Sequence, residues 1–247
     1  MIFIKIIFYL ILGILPSLIW LFYYLKKDIH PEPKKMILKV FLWGSGITLP
    51  VFLLEEVAAS FLMKLNLPPL ITQLIYCFLI IALIEEFFKY LVVRIKVFNS
   101  PHLDEPFDFI IYMIISALGF AAVENILYTL SFASHQMPFQ KLAVIASIVL
   151  ILRFVGATFL HTLCSALIGY SLAISFLDQK NRLFETISGI LIAILLHGIY
   201  NFSIMFLEGY FKYLSPFFIL SALAFFVFAN FKKVQKIKSV TILNKKL

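Results

Sequence analysis

Long apolar runs, broken at short intervals by Pro, Asn, Asp and Lys, set the pattern of this chain. Seven runs, near 2–25, 36–63, 70–93, 107–133, 142–176, 187–207 and 215–231, are long enough for a helix to cross a bilayer's hydrocarbon core of roughly 30 Å. They predict an all-α fold, a polytopic membrane bundle of about seven transmembrane helices. The fifth run is too long for one straight crossing. Arg153 and Gly156 inside it predict a later start, a tilt or a surface helix at its beginning. The seventh run is the shortest. Connections this short leave no room for a separate soluble domain, so residues 1–247 read as one integral membrane domain.

Composition agrees with the pattern. Hydrophobic residues make up 62% of the chain and charged ones 14%, with a mean hydropathy of +1.02, whereas soluble domains carry about 25% charged residues. The net charge of +8 does not point to nucleic acid, because six lysines (Lys232, Lys233, Lys236, Lys238, Lys245 and Lys246) crowd the tail after the last apolar run. That placement suits anchoring near anionic lipid. Fourteen basic residues follow the odd-numbered spans, and only Lys64, Lys141 and Lys212 occupy the alternate loops. The positive-inside rule then puts the N-terminus outside and the C-terminus in the cytoplasm of a multi-pass cell-membrane protein. Residues 1–25 lack an Ala-x-Ala-like cleavage site and read as a retained helix. Cys77 and Cys164 lie in apolar runs without CxxC spacing and read as core residues.

Against this background a few polar residues are costly. A charged group at the bilayer centre costs about 2.5–3.5 kcal/mol on insertion scales, so it is retained where it is paired, hydrated or metal-bound. Glu85, Glu86 and Lys89 lie in the third run. Adjacent helical positions differ by about 100°, so the two glutamates diverge while Glu85 and Lys89 share a face. Glu124 and Asn125 end a stretch in which Ser116, Gly119 and Ala122 recur at the small-residue spacing that admits a neighbouring helix. His161 and Ser165 share a face in the fifth run, with Arg153 two turns earlier on nearly the same side. His197 and Asn201 share one in the sixth, where Gly198 permits close approach. Glu55 and Glu56 either gate or line a cavity or simply mark the second span's outer end, and the second reading is favoured. Together, two histidines and three glutamates on four helices supply ligands that zinc accepts, with a carboxylate left to act on water, and they predict an intramembrane polar cavity. No HExxH is present, which excludes a zincin helix.

The motifs Glu85-Glu86-x-x-Lys89, Gly119-Phe-Ala-Ala-Val-Glu124-Asn125 preceded by Asp108 and Tyr112, His161-Thr162 and His197-Gly-x-x-Asn201 resemble, in order, those of the PrsW family of intramembrane proteases, related to the CAAX prenyl endopeptidases and bacteriocin-processing proteins. The resemblance covers about residues 80–205. It implies a metal-dependent endopeptidase acting on a membrane-anchored protein, in its best-known members an anti-sigma-factor-like one cut at the outer side. In the CAAX relatives a His stands where this chain has Glu124. On this reading His161, His197 and Glu124 bind Zn2+, leaving an open position for water. Glu85 or Glu86 is the base, with Glu86 favoured because Lys89 pairs with Glu85, and Asn201 donates to the oxyanion. Hydrolysis without tightly bound metal is the open chemical alternative. The other classes are an ion- or proton-coupled transporter, which predicts inverted repeats or broken helices, and a non-catalytic protein retaining the fold. Neither inverted repeats nor broken helices are evident in the sequence, and none of the polar groups is lost. Oligomeric state is not legible. The span boundaries put Glu86 toward the inner end of its helix and Glu124 toward the outer end of its own, so a single site requires uneven boundaries, tilt or a deep aqueous cavity.

Overall fold

The computed structural model describes residues 2–133 and 139–235, with side chains described from residue 7 to 131 and from 140 to 235. The expected tail lysines beyond 235 lie outside the described residues. Helices α1 (Ile2–Leu25) and α2 (Lys34–Lys64) are followed by α3 (Pro69–Ile75), which continues through a π-helical segment, Tyr76–Ala82, into α4 (Leu83–Lys96). Then come α5 (Pro106–Ala133), α6 (Phe139–Val155), α7 (Ala157–Leu177), α8 (Arg182–Phe206) and α9 (Phe211–Gln235). No strand occurs among the described residues.

The stops and starts obey local chemistry. Prolines at 33, 68 and 69 and 106 stand at helix beginnings, where a missing N–H costs nothing. Asn66 (φ 48°) and Gly209 (φ 59°) turn the chain after α2 and α8 in the left-handed region. Seven stretches are long and apolar enough to cross a membrane, with α3 and α4 forming one crossing and α6 and α7 another. The seventh, Phe211–Gln235, is 25 residues long, longer than the sequence pattern suggested.

Helix α5 is the axis of the bundle. It is apolar on all sides, the mark of a helix surrounded by others, and 78% of its most apolar window is buried, against 22–39% for the other spans. Helices α1, α2, α4, α6, α7 and α9 pack around it. The large side chains left exposed, among them Leu53, Ile151, Leu191 and Phe225, lie on the outer helices and suit lipid contact.

The small-residue face of α5 receives α2. A Cβ on Gly119 would fall on the backbone carbonyl of Phe41, and one on Gly44 on that of Ser116. Ser45 Oγ donates to the Gly119 carbonyl at 3.0 Å, so the close crossing is also hydrogen-bonded.

The fifth apolar run breaks at Gly156 (φ −102°, ψ −97°). Helix α6 lies along α1, where Tyr9 packs with Leu142 and Ala146 and Trp20 stacks on Phe154 at 5.2 Å. The break then redirects α7 against α5 and α8.

Candidate active site

Four spans bring their polar residues to one place. On α4, Lys89 is fully buried and donates from Nζ to Glu86 Oε1 at 2.6 Å and to Glu85 Oε2 at 3.4 Å. The π-helical segment lies immediately before this triad. A wide turn shifts the helical phase of the residues after it, and such turns are frequent at functional sites.

Lys89 also reaches His161 on α7, with Nζ 2.9 Å from Nδ1. An ammonium only donates, so Nδ1 accepts, and the hydrogen-bond network assigns the proton of a neutral His161 to Nε2. Nε2 faces Glu124 Oε2 on α5 at 2.8 Å. Glu124 Oε1 in turn pairs with an Arg153 terminal nitrogen at 2.8 Å, while Arg153 Nε donates to Asn125 Oδ1 at 2.5 Å. Asn125 Nδ2 donates to Thr158 Oγ1 at 3.1 Å, which closes the chain of contacts. Arg153 and His161 lie on opposite sides of the Gly156 break, yet both reach Glu124.

His197 on α8 repeats the arrangement with a different carboxylate. Its Nδ1 is 2.7 Å from Glu86 Oε1. Each imidazole is thus held by one carboxylate on one nitrogen. The other nitrogens, His161 Nδ1 and His197 Nε2, lie 3.6 Å and 4.0 Å from the same Glu85 Oε2.

These groups edge a cavity of about 340 Å³. Glu85, Glu124, His161, His197 and Asn201 all line it, whereas Glu86 and Lys89 lie behind its wall. Glu55 and Glu56 also line it, which corrects their reading as mere markers of a helix end. Nothing in the α2 sequence sets them apart from an interfacial pair; they reach the cavity because α2 is fixed against α5 at the Gly44/Gly119 crossing, about three turns earlier on the same helix. Tyr76 is likewise a cavity residue that the sequence did not mark, and Arg153, read from sequence only as lying on the side of His161, lines the cavity too.

The depth conflict disappears through uneven boundaries. Glu85 stands sixteen residues from Pro69 and eleven from Lys96, so it lies near the middle of a crossing that runs on past the expected end at 93.

Glu85, Glu86, His161 and His197 each offer a ligand atom, all within 4.8 Å of one another, and all four residues are buried. Two imidazoles and two carboxylates are a donor set that zinc accepts. Glu86 Oε2 is buried without a hydrogen-bond partner, a cost of about 1–3 kcal/mol or more for a charged group that a cation would relieve. The residues therefore fit a metal ion. Glu124 stands outside this group, bound to His161 and Arg153. A second acidic group, Glu32, Asp104 and Asp108, lies at the far end of α5, where Tyr112 donates to Glu32 and Asp108 Oδ2 accepts from the Asp104 and Glu105 amides.

A family model described as "PrsW family intramembrane metalloprotease" matches residues 32–230. Among curated proteins, the chain is 34% identical over 199 residues to Protease PrsW of Clostridioides difficile, covering 79% of this chain and 78% of that one. It is 30% identical over 208 residues to Protease PrsW of Oceanobacillus iheyensis, covering 84% and 88%. To Protease PrsW of Bacillus subtilis it is 27% identical over 233 residues, covering 94% and 96%. No solved structure matches the chain. Seven membrane-length helices, a buried Glu/His cluster on a cavity and a family match over most of the sequence lead to one conclusion: this multi-pass membrane protein belongs to the PrsW family of intramembrane metalloproteases and is a peptidase.

Proposed function

We propose that this peptidase is a zinc-dependent endopeptidase that hydrolyses a peptide bond in a membrane-anchored protein, with Glu85 as the base. The observation that carries this reading is the meeting of Glu85, Glu86, His161 and His197 from three helices at the wall of one cavity. His161, His197 and Glu86 would hold the metal, with Glu86 taking the ligand place that the sequence reading assigns to Glu124; Glu124 would instead fix His161. Zinc bound there supplies a Lewis acid for the scissile carbonyl and makes water more acidic.

The remaining steps belong to side chains. Glu85 faces the cavity and is the carboxylate placed to take a proton as water oxygen bonds to the carbonyl carbon. It returns that proton to the amine nitrogen as the C–N bond breaks. Asn201, one turn beyond His197 on the cavity wall, would donate its amide to the developing oxyanion. Lys89 and Arg153 each hold a carboxylate in position, Glu86 and Glu124 respectively.

The cavity's exposed rim includes Phe52, Glu56, Tyr128 and Met205, at the ends of α2, α5 and α8 that the lysine distribution assigns to the outer side. Cleavage of an anti-sigma-factor-like client near its outer boundary suits that opening.

The test uses proteoliposomes holding the full chain and a single-span reporter with a fluorophore on each side of its helix. Wild type is expected to separate the fluorophores and Glu85→Gln to fail. About one zinc per chain is expected by elemental analysis, lost in His161→Ala/His197→Ala. Unimpaired cleavage by Glu85→Gln removes the assigned base, and protein without metal under chelator-free conditions removes the zinc assignment.

A further inference from the structure

At the opposite end of α5 and α8 from the catalytic cavity lies a second hollow of about 790 Å³, between the end of α4, the start of α5, the end of α7 and the start of α8. Its charged wall is wholly cationic. Arg94, Lys180 and Arg182 line it, and no Asp or Glu does. None of the three forms an ion pair among the described residues. Arg94 stacks its guanidinium on Phe98, with Cζ 4.6 Å from the ring centre. The nearby Asp178 is engaged elsewhere, accepting from the Lys180 amide at 3.2 Å and from Asn181 Nδ2 at 2.9 Å.

The rest of the wall is mixed, with Asn99, Ser175, Gln179 and Thr186 adding uncharged polar groups beside an apolar portion. Leu172 and Phe176 form an apolar floor, and Ile95 and Leu183, 58% and 73% exposed, continue it onto the lipid-facing surface. An inorganic anion would have nothing to lay on that surface. A molecule with a phosphate at one end and hydrocarbon at the other matches both parts.

We propose that this hollow is a specific binding site for one anionic phospholipid, its phosphate held by Arg94, Lys180 and Arg182 and its chains lying over Ile95 and Leu183. Such basic pockets between transmembrane helices are a known means of headgroup recognition. Arg94 is two helical turns from Glu86 on α4, and Arg182 is on the helix of His197, so the lipid would join two of the elements that carry the candidate active site.

The experiment is native mass spectrometry of the full chain in detergent, titrated separately with phosphatidylglycerol, phosphatidylcholine and inorganic phosphate. One retained phosphatidylglycerol per chain is expected, favoured over phosphatidylcholine on the order of a hundredfold, at about fivefold per cation. Arg94→Gln/Lys180→Gln/Arg182→Gln should abolish the preference, and each single change should weaken it, which keeps the test open if the triple variant fails to fold. Lys232→Gln/Lys233→Gln, at the end of α9, should retain it. Equal retention of the two lipids, or a preference lost equally with Lys232 and Lys233, overturns the proposal in favour of unspecific basic anchoring. Stoichiometric inorganic phosphate that displaces the lipid overturns it in favour of a soluble-anion site.

Discussion

Glu124 holds His161 by the nitrogen that faces away from the other glutamates: Oε2 stands 2.8 Å from Nε2, and Lys89 occupies Nδ1 at 2.9 Å. The carboxylate sets tautomer and ring orientation, which is the usual part of a group behind a metal ligand. Glu124→Gln should therefore lower peptide cleavage by about 10–100-fold, with metal still bound in part. His161→Ala should lose both. Rates in proteoliposomes beside metal content separate the two; a Glu124→Gln protein without any metal would make Glu124 itself a ligand.

The two adjacent glutamates should separate in the same assays. Glu85 lines the cavity and Glu86 does not. Glu85→Gln is expected to reduce turnover by about 10²–10⁴-fold, the range for loss of a general base, while zinc content persists. Glu86→Gln should lose zinc. The reverse pattern would exchange their roles.

Lys89 is the buried counterion of both carboxylates. Lys89→Met leaves them uncompensated and should destabilise the protein by about 3–5 kcal/mol. Added zinc should raise the melting temperature of Lys89→Met more than that of wild type, since a dication would then be the sole balance of those charges. Equal shifts would show that the ammonium and the metal do not share the site.

The α2–α5 crossing gives a test of packing independent of chemistry. Gly119→Ala drives a methyl group onto the Phe41 carbonyl and should cost at least about 1–3 kcal/mol. Gly46→Ala, also on α2 but with open space around it, should be neutral or stabilising by up to about 1 kcal/mol. Thermal unfolding in one detergent compares them.

Stability should also depend on pH through Glu32, which lies between the first two spans. Burial raises its carboxyl above the ordinary 4.5, offset in part by the Tyr112 hydroxyl. For an acid whose folded pKa is raised, the contribution is complete below the unfolded value and is lost as pH rises through the folded one. Thermal stability should fall as pH climbs from 4.5, and Glu32→Gln should flatten that slope. A steeper slope in the variant would contradict the assignment.

The third crossing illustrates what a sequence can reveal. Glu85, Glu86, Lys89, Glu124, His161 and His197 are all legible as one candidate set, because each is expensive in hydrocarbon and a linear hydropathy reading makes that plain. Who touches whom is less legible. Spacing pairs Lys89 with Glu85, but Lys89 lies nearer Glu86 because a long flexible side chain reaches i−3 as easily as i−4. A face argument links Arg153 to His161 across two turns; the break at Gly156 ends that helical phase, and the two meet only through Glu124. Glu55 and Glu56 become cavity residues through a helix crossing whose partner lies about 70 residues away.

The catalytic cavity, at about 340 Å³, is narrow beside an α-helix with its side chains, about 10–12 Å across. For the proposed membrane-anchored client, entry as an intact helix would be disfavoured. On the proposed mechanism, the peptide group to be cut would first give up its own i to i−4 hydrogen bond and reach Glu85 as an extended strand. Selection among clients would then rest on how readily a short stretch unwinds: Gly, Pro or a polar residue near the outer boundary would mark a target, and a uniformly aliphatic helix would pass intact.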